Sequence, residues 1–242
     1  MSEIIAARRA RTWLSLAIIG PAMLGAGNAS AALLDAFANG GFEGYAGNTN
    51  TFNSAVPPGW TTTAGTPDVF AADTNVYGMT WQSSSTGGDF LHGIGLDPGY
   101  VESALQVGLD GLVIGQQYEI SFEQSISWNI GGASDGFWEI IFGDESQNSD
   151  IMSVPDSGVA APWMWQTLIF TATSTIQTLE VIAHNDDGSG RADLGIDSFF
   201  LGDPGTNPDN PPVDVPEPDT LSLLGLGLAF AGFATRRRRR RA

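Results

Sequence analysis

The chain has 242 residues, room for one large or two small domains, and carries 27 Asp and Glu against 10 Arg, with no Lys and no Cys, for a formal charge of −17. Lacking Lys, it has no Schiff-base chemistry and no phosphate-loop lysine; lacking Cys, it has no thiol nucleophile, zinc–thiolate site or disulfide. Nine of the ten arginines lie in the terminal segments, leaving 23 acids and one base, Arg191, between Ala32 and Asn210, a balance that excludes a nucleic-acid binder built on clustered cations.

Residues 1–31 place Arg8, Arg9 and Arg11 before an apolar stretch from Trp13 to Ala26 and close on Ala29-Ser30-Ala31. Positive, apolar and small-residue regions in that order predict a secretory signal peptide, handled by the secretion translocon and signal peptidase, with Ala32 as the first mature residue.

The body, 32–201, has a period of two. Tyr118–Phe122, Trp165–Phe170 and Leu179–Ala183 alternate apolar and polar side chains, while Phe137–Phe142 is continuous enough to predict a strand buried on both faces. Gly, Asn, Asp and Ser clusters separate these runs, no helix of ten residues is evident, and no internal repeat points to a propeller or solenoid. The expected fold is all-β, a single antiparallel sandwich.

Chemistry-bearing residues are sparse. Gly132-Ala-Ser134-Asp-Gly136 fits the G-x-S-x-G pattern, but a nucleophile elbow needs a helix after the serine, and here a strand follows. Glu123, Glu139 and Glu180 are carboxylates among many, and His92 and His184 lack ligand neighbours at fixed spacing, so no catalytic set assembles and a non-enzyme is expected. Asn185–Asp193 is acidic without the alternate spacing of a calcium loop, which suits a polar hairpin turn. Six tryptophans lie in the body: Trp60, Trp81, Trp128, Trp138, Trp163 and Trp165. Sugar rings stack apolar faces on such planes while amides take their hydroxyls, which makes Trp81 with Gln82, and Trp128 with Asn129, candidate ligand-binding pairs; core packing accounts for the rest.

Residues 202–214 read GDPGTNPDNPPVD, an extended, disordered spacer by composition. Beyond it come Val215-Pro216-Glu217-Pro218, a Leu/Gly/Ala/Phe run and the arginines Arg236 to Arg241. Taken as a helix over 218–235, the run is about 27 Å long at about 1.5 Å per residue, just enough to span a membrane, with the arginines on the cytoplasmic side.

This ending, 215–242, resembles the PEP-CTERM sorting signal of Gram-negative bacteria, on Val215, Pro216, Glu217, Pro218 and the cluster opened by Arg236, Arg237 and Arg238. The resemblance implies an exosortase that recognises the Pro-Glu-Pro region, transient anchoring in the inner membrane, and delivery to the envelope or extracellular matrix of a cell that secretes exopolysaccharide. A second resemblance, on Asn39-Gly-Gly-Phe-Glu43, Pro58-Gly-Trp60, Leu112–Phe122 and Gly195–Leu201, is to galactose-binding-like and choice-of-anchor jelly rolls. It implies a structural Ca²⁺ held by Glu43 and Asp197 with backbone oxygen near Gly41. Ser198 and Phe199 depart from the usual Ile-Asp-Asp-Val pattern there. Two functions stay open: a body that binds exopolysaccharide, and a structural surface protein without a small ligand.

Overall fold

The computed structural model describes residues 37–210 except Asp97, 129–133, Ser157, Asp187 and Ser189. The expected signal peptide, the sorting segment with the membrane helix expected in it, and Asn129 lie outside the described residues.

Thirteen strands follow one another: β1 Thr61–Ala64, β2 Asp68–Ala71, β3 Asn75–Val76, β4 Met79–Thr80, β5 Asp89–Leu96, β6 Tyr100–Val101, β7 Ser103–Asp110, β8 Gln117–Ser127, β9 Gly136–Phe142, β10 Glu145–Asn148, β11 Met164–Thr171, β12 Ile176–Asn185 and β13 Ala192–Gly202. Their pairings are antiparallel. One sheet runs β1-β7-β12-β9-β10; the facing sheet runs β11-β8-β13-β5-β2 with β6 beside β5, and β3-β4 is a separate hairpin. From β5 to β13 the chain crosses between sheets at each long connection, turning back within one sheet only at the β5–β6 and β9–β10 hairpins. The four-strand cores β11-β8-β13-β5 and β7-β12-β9-β10 are the two halves of a jelly roll.

Between the sheets lie Ile120, Phe122, Trp138, Ile140, Phe142, Leu179, Val181, Leu194 and Ile196, buried at alternate positions of facing strands. Trp138 bridges the sheets, donating from Nε1 to the Gly195 carbonyl at 3.1 Å. Strand β9 differs from its expected burial on both faces: Gly136, Trp138, Ile140 and Phe142 point inward while Phe137, Glu139 and Ile141 are half-buried. That sheet's outer surface is only partly covered, and Phe137 is shielded there by the His184 ring, 5.2 Å away and near parallel.

The outer surface of the other sheet is roofed instead. A second core of Phe70, Val76, Met79, Trp81, Phe90 and Ala160 sits on it, beneath the β3–β4 hairpin. The alternating Glu119, Ser121, Glu123 and Ser125 of β8, a solvent-facing pattern by sequence, are buried under connecting segments. One of these segments is 203–210, expected within a free spacer. Gly205 N–H donates to Glu119 Oε2 at 2.5 Å, Asn207 Nδ2 to Ser121 Oγ at 2.7 Å, and Asn210 Nδ2 to Thr167 Oγ1 at 3.2 Å. Buried strand carboxylates and hydroxyls need partners, and this polar segment supplies them.

Candidate functional site

The N-terminal turn is fixed by Asn39, whose Oδ1 accepts from Glu43 N–H at 2.9 Å and whose Nδ2 donates to the carbonyls of Glu43 and Pro58 at 2.8 and 2.9 Å. Phe199 N–H donates to the Gly40 carbonyl at 3.0 Å, so the turn is tied to the last strand. In β13 the register slips between Asp197 and Phe200. Ser198 takes φ 59° in this bulge, and Phe199 swings in against Phe37, Phe42, Trp60 and Phe122. The unusual Ser198-Phe199 pair thus has a structural reason: one residue turns the strand and the other anchors it.

The bulge leaves Asp197 facing a cluster of acids. Its Oδ2 accepts from Ser84 Oγ at 2.5 Å, and its Oδ1 is buried without a hydrogen-bond partner. Next to it, Glu123 Oε2 accepts from Ser85 N–H at 2.8 Å, Ser85 Oγ at 2.7 Å and Ser198 Oγ at 2.9 Å. Glu43 Oε1 accepts from Asp89 N–H at 3.1 Å. Burial raises the Asp197 carboxyl to about 8, with repulsion from Glu123 and Glu43 adding to it against the hydrogen bonds of Ser84 and Ser198; Asp89 is raised by burial and then by Glu43. The body's one Arg is committed elsewhere, to Asp193. The donors here are all oxygens, the kind a hard divalent cation takes, and the orphaned Asp197 Oδ1 lies among mutually repelling carboxylates.

Of the residues expected at this site, Glu43 and Asp197 come together electrostatically, while Gly41 stands beside Glu43 with no further contact to define a role. Glu123, Asp89 and the Ser84–Thr86 loop were missed. Glu123 carried a signal only in hindsight, as the residue that pairs with Asp197 across β8 and β13.

The candidate ligand pairs separate. Trp81 is fully buried in the second core, against Phe90 and Trp163, which rules it out as a surface platform; Gln82 is exposed and offers its carbonyl to Trp163 Nε1 at 2.8 Å. Trp128 is 37% exposed at the end of β8. Near this end, where β5, β8 and β12 finish and β13 begins, a stack not anticipated from sequence forms. Tyr77, 61% exposed, lies parallel to Phe52 at 4.8 Å, and the Arg191 guanidinium sits 5.5 Å from the Phe52 ring centre. Arg191 is pinned by Asp193 through Nε and Nη2 at 2.9 and 2.6 Å. Ser134 leads into strand β9 at Gly136, so it has no elbow helix.

Solved structures similar to this chain include a cyclase from Fischerella sp. TAU (15% identity, 67% of this chain and 92% of that one, TM-score 0.45). The module TmCBM61, solved with β-1,4-galactotriose, matches at 14% identity over 71% of this chain and 98% of that one, with a TM-score of 0.38. The CBM22-1 xylan-binding domain of Xyn10C from Paenibacillus barcinonensis matches at 12% identity over 60% and 85%, with a TM-score of 0.36. No curated protein matches the chain.

The C-terminal segment is assigned directly. The model of the PEP-CTERM protein-sorting motif matches residues 214–240, taking in Val215, Pro216, Glu217, Pro218, Arg236, Arg237 and Arg238. The chain carries a PEP-CTERM sorting motif, which marks it as an exported, surface-directed substrate of an exosortase.

Proposed function

We propose that the jelly roll is a non-catalytic carbohydrate-binding body, carried to the surface of a Gram-negative cell to hold exopolysaccharide in its envelope or matrix. The observation that carries this reading is the exposed Tyr77 ring stacked on Phe52 and backed by Arg191, at an end of the sandwich that also bears Trp128. A ring braced from behind loses little freedom when a sugar face packs on it, and Asn, Asp and Ser of the surrounding loops suit its hydroxyls. Export begins with the signal peptide 1–31, the translocon and signal peptidase, and the helix over 218–235 anchors the chain in the inner membrane until the exosortase acts.

A structural Ca²⁺ belongs to the same reading. Glu43, Asp197 and Glu123 would hold it, tying the N-terminal turn to β8 and β13 beneath the Ser84–Thr86 loop. Its role is to keep the first and last parts of the body together, not to touch the glycan.

The test screens the full chain against bacterial and plant polysaccharides with calcium and with a chelator. Saturable binding lost in Tyr77→Ala or Trp128→Ala supports the glycan site. Absence of binding across the panel, with melting still dependent on calcium, supports the second reading of a structural surface protein; five of the six body tryptophans being buried or partly buried is the observation in its favour.

A further inference from the structure

Under the aromatic stack, β2 and β5 place a second set of ionisable residues together. Asp68, opposite His92 across the two strands, is 2% exposed, His92 is 0% exposed, and Glu102, just before β7, is 1% exposed. One donor atom from each lies within 4.8 Å of the other two. His92 Nδ1 faces Asp68 Oδ2 at 3.4 Å, and it is buried without a hydrogen bond. A tetrahedral ion with bonds of about 2.0–2.1 Å sets its donors about 3.3 Å apart, so this edge already has the right length.

Hydrogen bonds from the surroundings hold each of the three groups in place. Asp68 Oδ1 is taken by the N–H groups of Asn53 and Ser54 at 2.6 and 2.8 Å, which leaves Oδ2 for the site. Glu102 Oε2 accepts from Ile94 N–H at 2.8 Å and Oε1 from Tyr100 OH at 2.8 Å, fixing the carboxylate plane. On the far side of the imidazole, Nε2 meets Asp193 Oδ1 at 3.1 Å, and Asp193 is itself gripped by Arg191. A carboxylate behind the distal ring nitrogen is the arrangement that presents the other nitrogen, as a lone pair, to a metal. Phe70 stacks on the ring at 4.4 Å and fixes its plane.

Charge points the same way. Asp68, Glu102 and Asp193 are three buried carboxylates, and Arg191, the one permanent cation among the described residues, is paired with Asp193. Buried charge of this kind is stable only when compensated. A divalent ion supplies the full compensation with His92 neutral.

We propose that Asp68 Oδ2, His92 Nδ1 and a Glu102 carboxylate oxygen form a buried site for a zinc-class divalent ion, distinct from the oxygen-only calcium cluster, with Asp193 and Arg191 positioning the imidazole. One nitrogen with two oxygens favours Zn²⁺ or Co²⁺ over Ca²⁺.

The test uses the full chain, purified without an affinity tag and stripped of metal, then given Zn²⁺ or Co²⁺ with millimolar Ca²⁺ present to fill the hard-oxygen cluster. One equivalent of Zn²⁺ is expected to bind, with X-ray absorption reporting one nitrogen and oxygen neighbours at about 2.0–2.2 Å, and Co²⁺ is expected to give visible absorption of a four-coordinate ion. Glu102→Gln is expected to weaken Zn²⁺ at least 100-fold, and Asp193→Asn about 10- to 100-fold as a positioning residue. His184→Gln, which removes the surface His184–Glu139 pair, is expected to leave the binding intact. An oxygen-only shell, loss of binding in His184→Gln alone, or no stoichiometric Zn²⁺ on the unaltered chain overturns the proposal, and the absorption measurement needs no variant to fold.

Discussion

At the scale of residues, the acid cluster makes the sharpest predictions. In the calcium-free chain, replacing Asp197 by Asn removes a carboxyl that burial and two neighbouring acids disfavour as an anion. The variant is expected to melt at or above the temperature of the chelated parent at pH 8 and to lose the rise that calcium gives the parent; thermal melts with and without chelator check both. The pH dependence follows from the raised carboxyl. The folded chain holds a proton there between the ordinary Asp range near 3.9 and about 8, while the unfolded chain does not, so this group's stabilisation is complete at low pH and is lost as pH rises through about 8. The calcium-induced gain in melting temperature should therefore grow from pH 5 to pH 8, and a gain independent of pH would count against the cluster as the binding site. Half of this cluster was legible. Glu43 stood in a recognisable turn and Asp197 in a recognisable last strand, but Glu123 belongs to an alternating strand and reads as a solvated side chain. Nothing local to Glu123 announces that the Ser84–Thr86 loop will close over it.

For the elements, period two located the strands well, and Tyr118–Phe122, Phe137–Phe142, Trp165–Phe170 and Leu179–Ala183 fall inside β8, β9, β11 and β12. Short strands such as β3, β4 and β6, two residues each, are set by their neighbours and leave no pattern to find. The second core was likewise hidden, because covering an outer sheet surface is decided by loops distant in sequence. That is why Trp81 reads as a loop-side platform and is instead walled in by Phe90 and Trp163. Trp81→Ala should cost about 3–5 kcal/mol in urea unfolding, a core-sized loss, whereas exposed Tyr77→Ala should change stability by well under 1 kcal/mol. Strand β5 contains a tighter constraint. A Cβ on Gly95 would strike the backbone of His184 and Asn185 on β12, so Gly95→Ala forces the two sheets apart and should lower the melting temperature by several degrees or more, despite adding one methyl group.

Over the whole molecule, composition and the carboxyl end were the readable parts: the acidic, lysine-free body, and a sorting segment whose parts lie in order within 28 residues. The body's charge is self-repelling, and screening acts over a Debye length of about 8 Å at physiological ionic strength. Melting temperature should climb as NaCl rises from a few millimolar to 0.15 M in the chelated chain; a flat or falling curve would show that repulsion does not limit stability. The carboxyl end of the described body adds something different. Beyond Gly202 the chain doubles back along the outside of β8 to reach β11, held by side chains at Glu119, Ser121 and Thr167, and β13 itself is the central strand of its sheet. Tension arriving from a surface-fixed tail must first strip this seam, one polar contact at a time, before any of it loads β13. A body that holds polymer, as proposed, while its tail is fixed to the cell would thus yield slack in stages, and keep its two sheets packed while it does.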